Sequence, residues 1–420
     1  MEDSKHLTAF DNTLLSERRS AMKRKGLLIS SIFFVILLFI GRNVRASEVR
    51  GVTDNSIKVA TIAPVTGPAG SLGLLWVEAT KNYIRYVNDN GGVNGRQLDL
   101  IVEDDRYSIP LSLTAFKKLV YKDKIFALIG PSSTGALSLL RDKIRKEKLP
   151  TMSFITPEIA FSPPHRYIFG VTDTYPGQVK VLIDYMIKDL KLKEPRIALV
   201  YPDVESGKVD MRAALARLGK YDIEPVTKDI LTQGAIDATS QVMSIKRSKA
   251  NVIAYVGGFT ATTVTLLRDL RKLGLNVPVV GSYGTMLGEE INAIGKVANQ
   301  FYAVHATSPW YGKGSGLQKM RKITLKYHPG TGKPCRGTIY TGLWICNTMV
   351  VEGLKRAGRN VNGEALIKAF ESIKNYDTGG LCGPLSYSPT NHKGGDSWKI
   401  FKADPTGRKY IPMTDWRTPD

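Results

Sequence analysis

Ile125-Phe126-Ala127-Leu128-Ile129, followed by Gly130-Pro131-Ser132-Ser133-Thr134-Gly135, decides the fold. Five apolar residues without polar alternation are the mark of a strand buried on both faces of a parallel sheet. The small polar stretch behind them turns the chain and offers caps to a helix expected over 134–147. A second strand follows over 151–155 and runs into Ile155-Thr156-Pro157-Glu158. Upstream, the same rhythm gives a strand over 57–63 and a helix over 74–88, with Trp76, Ala79, Tyr83 and Val87 on one face. Asn90-Gly91-Gly92 ends that helix, and a strand over 98–102 and a helix over 111–121 complete the series. Strands and helices alternating at this length predict a parallel sheet covered on both faces.

The rhythm then restarts. Helices over 179–190, 209–218 and 262–273 alternate with strands over 196–201, 251–256 and 277–280. Two doubly wound α/β units thus occupy residues 52–305. The rest departs from the pattern, with helices over 339–357 and 363–373 and strands over 384–388 and 399–402. Stretches 308–316 and 328–337 are rich in Gly, Pro and Ser and read as loops or crossings. A tail of this kind completes sheets already begun. The expected division is discontinuous: 47–171 with 308–384 in one lobe, 172–307 with 385–420 in the other.

The N-terminus reads as an export signal over residues 1–46. Lys23-Arg24-Lys25 precedes a largely apolar core from Leu27 to Ile40, and Val44-Arg45-Ala46 presents a small-residue cleavage pattern. Fourteen residues are short of the roughly 20 that span a bilayer. No Cys stands near the cleavage pattern to anchor a lipid. The expected product is a soluble, monomeric protein in the periplasm.

Beyond residue 46 the chain is basic, with 51 Lys and Arg against 34 Asp and Glu. The basic residues cluster at 117–118, 143–148, 188–193 and 246–249, where helices or their ends are expected, as on solvated helix faces. No aromatic-interleaved basic stripe marks a nucleic-acid binder. Three cysteines, Cys335, Cys346 and Cys382, permit one disulfide in an oxidising compartment. Cys346 falls in an apolar helical run, so Cys335 with Cys382 is the expected bridge, although spacing alone leaves the pairing open. His165, His305, His328 and His392 are not spaced for a metal. No nucleophile elbow, phosphate loop or dinucleotide turn occurs. Glu103-Asp104-Asp105 reads as an acidic turn. Neither catalysis nor a cofactor is expected.

Three small polar or Pro-rich loops share one sheet edge: 64–70, 130–135 and 155–158. Ligands of open α/β sheets bind beyond the carboxyl ends of strands. Thr66-Gly67-Pro68 with Gly73, the stretch 88–96 (NDNGGVNGR), the Ser-Ser-Thr loop after Ile129-Gly130, and Thr156-Pro157-Glu158 carry a resemblance to a known family. Residues 268–274 before Val277-Pro278 and the closing stretch 383–394 (GPLSYSPTNHKG) extend it. Together they resemble the extracytoplasmic solute-binding proteins for branched-chain amino acids.

That resemblance implies a type I periplasmic binding fold, in which two doubly wound lobes joined by three hinge crossings close on a small solute. The solute then passes to an inner-membrane ABC permease; the alternative is a sensory receptor. It also implies that hydroxyls and backbone N–H groups at Ser132, Ser133 and Thr156 hold a ligand carboxylate, and Thr134 and Ile155 are further candidate ligand-binding residues. Gly70, Trp76, Tyr175, Phe259 and Tyr283 would wall the site. Gly281-Ser282-Tyr283-Gly284 places a phenol where such proteins carry an acid for an ammonium. Glu205 is a further acid near the cleft, in a turn expected to be solvated. Burying an ammonium without a partner costs several kcal/mol. The expected ligand is therefore a small amino-acid-like solute, an amide, or an aromatic or other organic acid, with a standard α-amino acid the least expected.

Overall fold

The computed structural model describes residues 49–288, 295–329 and 336–420. The expected signal segment 1–46 and Cys335 lie outside the described residues. Among them no helix is long and apolar enough to cross a membrane.

The first sheet joins β1 (Ser56–Ala63), β2 (Gln97–Asp104), β3 (Ala127–Ile129), β4 (Thr151–Ser153) and β5 (Ile168–Gly170) in the order β2-β1-β3-β4-β5. All its pairings are parallel. Helices α1 (Gly70–Asp89), α2 (Ile109–Lys117) and α3 (Thr134–Lys146) make its crossovers. Helix α4 (Tyr175–Asp184) then leads into the second lobe. There β6 (Ile197–Tyr201), β7 (Thr227–Ile230), β8 (Val252–Tyr255), β9 (Val279–Gly281) and β10 (Phe301–His305) repeat the order β7-β6-β8-β9-β10. Each sheet reverses its winding once, between β1 and β3 and between β6 and β8. These switch points open crevices at the strands' carboxyl ends.

Period-2 alternation fixes the second core. On β6, Ala198 and Val200 join one apolar cluster with α6 (Thr239–Arg247) and α7 (Thr260–Lys272). Ile197 and Leu199 point the other way, to α4 and α5 (Glu205–Gly219). Both faces are covered, which is why the strand is continuously apolar.

The chain passes between the sheets three times: after β5, after β10 and after β12. The middle excursion holds α8 (Ser315–Tyr327), α9 (Thr338–Ala357) and α10 (Gly363–Glu371), and α9 packs along α1. Most of α9 is buried, consistent with its apolar residues on every side. The hairpin β11 (Ser386–Ser388) and β12 (Asn391–Gly394) packs on α10 and β5. The expected division at 384/385 gives this hairpin to the second lobe, yet it lies against the first. The antiparallel β13 (Lys399–Asp404) and β14 (Lys409–Pro412) then finish the second sheet.

Seven elements carry no expectation from the sequence: β5, β7, α6, β10, α8, β12 and β14. The expected disulfide is also corrected on one side. Cys382 carries a free thiol whose Sγ donates to Gly383 O at 3.2 Å, and Cys346 is likewise free. Burial raises both thiols, Cys382 to about 12. Neither is expected to react with a maleimide in the native protein, and both are expected to react after non-reducing unfolding. Peptide mapping that finds either in a disulfide contradicts this.

Candidate functional site

The acidic turn after β2 is held by its own side chains. Asp104 accepts from the Thr66 hydroxyl at 2.6 Å, and Asp105 accepts from Ser112 at 2.6 Å and from Tyr107 N at 3.0 Å. Arg106 and Tyr107 adopt left-handed backbone there, at φ 50° and 61°. The turn thereby delivers the Tyr107 ring to a cleft between the two sheets. Opposite, α5 starts beside the carboxyl end of β8. A Cβ on Gly257, at φ +65°, would stand 2.4 Å from Gly207 Cα, so only glycine allows this approach.

Between these edges lies a cavity of about 670 Å³, counted out to its open mouth. Helices α3 and α5 touch across the cleft, so the lobes are closed on it. Its first-lobe wall comes from the ends of β1, β3 and β4, and its second-lobe wall from the ends of β6, β8 and β9. Of the expected site residues, Trp76, Ser132, Thr134, Ile155, Tyr175, Phe259 and Tyr283 line it.

Gly70, Ser133 and Thr156 do not. Gly70 opens α1 against Val65 O, where an added Cβ would stand 3.2 Å from that oxygen. Ser133 caps α3, its hydroxyl accepting from Ala136 N at 3.2 Å. The Thr156 hydroxyl donates to Asp173 O at 2.7 Å and sits 3.1 Å from the Thr172 hydroxyl. Local backbone groups have claimed both side chains.

Aromatic rings form much of the wall. Tyr283 stacks on Tyr175 at 5.8 Å and meets Phe154 edge-on at 6.0 Å. Tyr107 and Phe259 pack edge-to-face across the cleft at 6.0 Å. The Tyr175 hydroxyl lies 2.7 Å from that of Thr134, joining the lobes at the back of the site. Burial raises all three phenols above their ordinary range, so they remain neutral donors.

One residue overturns the expectation of a site without a carboxylate. Asp210, on the second turn of α5, lines the cavity and is 1% exposed. Its Oδ2 accepts from Gly257 N at 2.9 Å and Gln178 Nε2 at 3.3 Å, while Oδ1 has no hydrogen-bond partner. Burial raises its carboxyl to about 8, against the lowering effect of Ser282, Gly257 and Gln178. Glu205, the acid expected near the cleft, is exposed and off the cavity. A signal for Asp210 was present: Gly207, Asp210, Ala214, Arg217 and Leu218 form the buried face of α5 at helical spacing. An acid in that register faces inward. No Lys, Arg or His lines the cavity among the described residues, and no cluster of metal-ligating side chains occurs among them.

The family model for periplasmic binding proteins matches residues 56–408. A Leu/Ile/Val-binding protein homolog from Brucella melitensis is 25% identical over 350 residues, covering 83% of this chain and 91% of that protein. The Leu/Ile/Val-binding protein of Escherichia coli K12 is 25% identical over 230 residues, 54% of this chain and 61% of its own. Among solved structures, a branched-chain amino acid ABC transporter protein from Thermus thermophilus with bound valine matches at TM-score 0.80 and 21% identity, covering 87% of this chain and 97% of its own. A fatty acid ABC transporter substrate-binding protein from Thermomonospora curvata matches at 0.76 and 19%, covering 89% and 95%. Branched-chain amino acids and fatty acids are thus very different cargoes on one fold. These relatives are substrate-binding proteins rather than enzymes, with two lobes wound like these. The chain belongs to the periplasmic binding protein family.

Proposed function

We propose that this chain is the exported, solute-capturing component of an ABC importer. It is released after residue 46, works as a monomer and hands its solute to an inner-membrane permease. One observation carries the reading: both switch-point crevices open into a single cavity lined by both lobes, so one small molecule can touch both lobes at once. A solute bridging the lobes lowers the free energy of the closed form alone, and so shifts the population toward it. The closed outline is then what a permease reads.

The first lobe offers neutral donors. Ser132 and the amino end of α3 line the cavity, and a helix start favours an acceptor or anion. A thermal-shift screen over amino acids, amines, amides and aromatic acids tests the reading. A cognate solute at a hundredfold excess over Kd stabilises the protein by about 2.7 kcal/mol. Tyr283→Phe is expected to weaken that solute by about tenfold through loss of one neutral hydrogen bond. A screen in which no small solute raises the melting temperature rejects the proposal.

A further inference from the structure

We propose that Asp210 receives an ammonium group of the solute, so that the cavity accepts amines and amine-bearing acids and rejects solutes carrying only acid groups. This rests on the reading of the cavity as the solute site. It reverses the ranking of ligand classes expected from the sequence.

Three observations on different groups converge. Asp210 is the one side chain in the described lining able to carry charge near neutral pH, and that charge is negative. A solute with two acid groups would meet no cation there. Second, Oδ1 is the unpartnered oxygen of a carboxyl that is otherwise anchored by Gly257 and Gln178. Gln178 is fixed in turn, since its Oε1 accepts from Tyr283 N at 2.8 Å. The carboxyl is thus oriented before any ligand arrives, which lowers the ordering cost of binding. Third, the walls beside it are the faces and edges of Tyr107, Phe154, Tyr175, Phe259 and Tyr283. Aromatic faces attract a desolvated cation and accommodate a ring-sized apolar body. The body would lie among these rings, with any carboxylate toward Ser132 and the start of α3.

Electrostatics then couples capture to protons. The titratable groups that line the cavity with Asp210 are phenols, Tyr283, Tyr175 and Tyr107, all held neutral by burial. His305, beyond Tyr283, is also neutral, lowered to about 3 by burial. Asp203, Glu205 and Lys208, on the same helix and its entry turn, are exposed, and Lys208 pairs with Asp203 at 2.8 Å. With its carboxyl raised to about 8, empty Asp210 carries a proton at pH 7. An arriving ammonium requires the carboxylate, so that proton leaves to solvent as the ion pair forms. No covalent bond of the solute changes.

Isothermal titration with matched amine and deamino compounds tests this: L-phenylalanine and phenethylamine against 3-phenylpropanoate, and L-leucine against 4-methylpentanoate. At least one amine is expected to bind, with its deamino partner at least about 30-fold weaker. Titration at pH 7 in two buffers of different ionisation enthalpy should report about one proton released. Affinity for the amine should tighten about tenfold from pH 6 to 7, and about fivefold from pH 7 to 8 as the free carboxyl itself ionises. Asp210→Asn should weaken the amine by at least about 30-fold and abolish proton release, with its circular dichroism confirming a folded chain. Equal binding of a deamino acid, or an amine bound by Asp210→Asn as by the natural protein, overturns the assignment while leaving solute capture intact. No binding by any of these compounds overturns the assignment too; whether capture itself survives is decided by the wider thermal-shift screen.

Discussion

Trp76→Ala is expected to lower the unfolding free energy by about 3–5 kcal/mol and to abolish solute binding. The indole is 1% exposed and stands at the first lobe's switch point. Its Nε1 donates to the Thr61 hydroxyl at 2.7 Å, and that hydroxyl donates to Ile129 O at 2.7 Å. Trp76 thus ties α1 through β1 to the end of β3, where the Gly130 loop begins. Gly130 packs beside the ring at φ +124°, a backbone conformation that side chains rarely adopt, and an added Cβ would stand 3.3 Å from Ile62 O. Truncation leaves a void, orphans Thr61 as acceptor and enlarges the cavity that a solute must fill. Trp76→Phe separates these effects, since it keeps most of the volume and loses the indole donor, costing about 1 kcal/mol more than the volume change. Urea unfolding measures both. A loss under about 1 kcal/mol for the alanine variant would contradict the packing described here.

The second large effect has the opposite sign. Asp210→Asn is expected to stabilise the solute-free protein above neutral pH. Folding raises the Asp210 carboxyl from 3.8 to about 8. Its stability contribution is fully present below pH 3.8 and is lost as pH rises through 8. The slope is about 1.4 kcal/mol per pH unit. His305 works the other way. Folding lowers it from 6.5 to about 3, so its contribution is present above pH 6.5 and fades as pH falls toward 3. Between pH 3.8 and 6.5 the two slopes oppose and nearly cancel. From pH 6.5 to 8 only Asp210 acts, and natural protein should lose about 2 kcal/mol relative to Asp210→Asn. Urea midpoints at pH 6.5 and 8 give the difference directly. Parallel midpoints for the two proteins would show that Asp210 ionises freely in the empty cavity. A residue that weakens the empty fold and is needed by the filled one marks a functional site, where stability is given up for activity.

The doubly wound architecture was legible because its central strands are buried on both sides. The expected strand over 196–201 and the observed β6 nearly coincide, and every residue of β6 before Tyr201 is buried. The strand β7 was invisible for the converse reason. Thr227-Lys228-Asp229-Ile230 lies at a sheet edge with alternate residues exposed, and it carries no apolar run. The strand β5 is three residues long and follows a Pro-rich loop, too short for any period to register.

Within the site, loops could be assigned to an edge because strand direction fixes which end they occupy. Hydroxyl side chains could not be sorted the same way. Ser132 and Ser133 are adjacent and chemically identical, yet one faces the cavity and the other caps α3. The difference is a rotation about the chain that composition does not record. Asp210 was missed because acids were sought in loops, whereas this one sits on the inward face of a helix.

The closing pair of strands has a consequence for how the protein is made. Until β13 arrives, β10 ends the second sheet with an unpaired row of amides and carbonyls, a template for pairing with another chain. The strand that covers it begins only at Lys399, long after β10 ends at His305. Maturation of that half therefore waits on the long excursion between β10 and β13, whichever compartment receives it. Premature termination near residue 395 would yield a product with one half formed and an adhesive margin on the other.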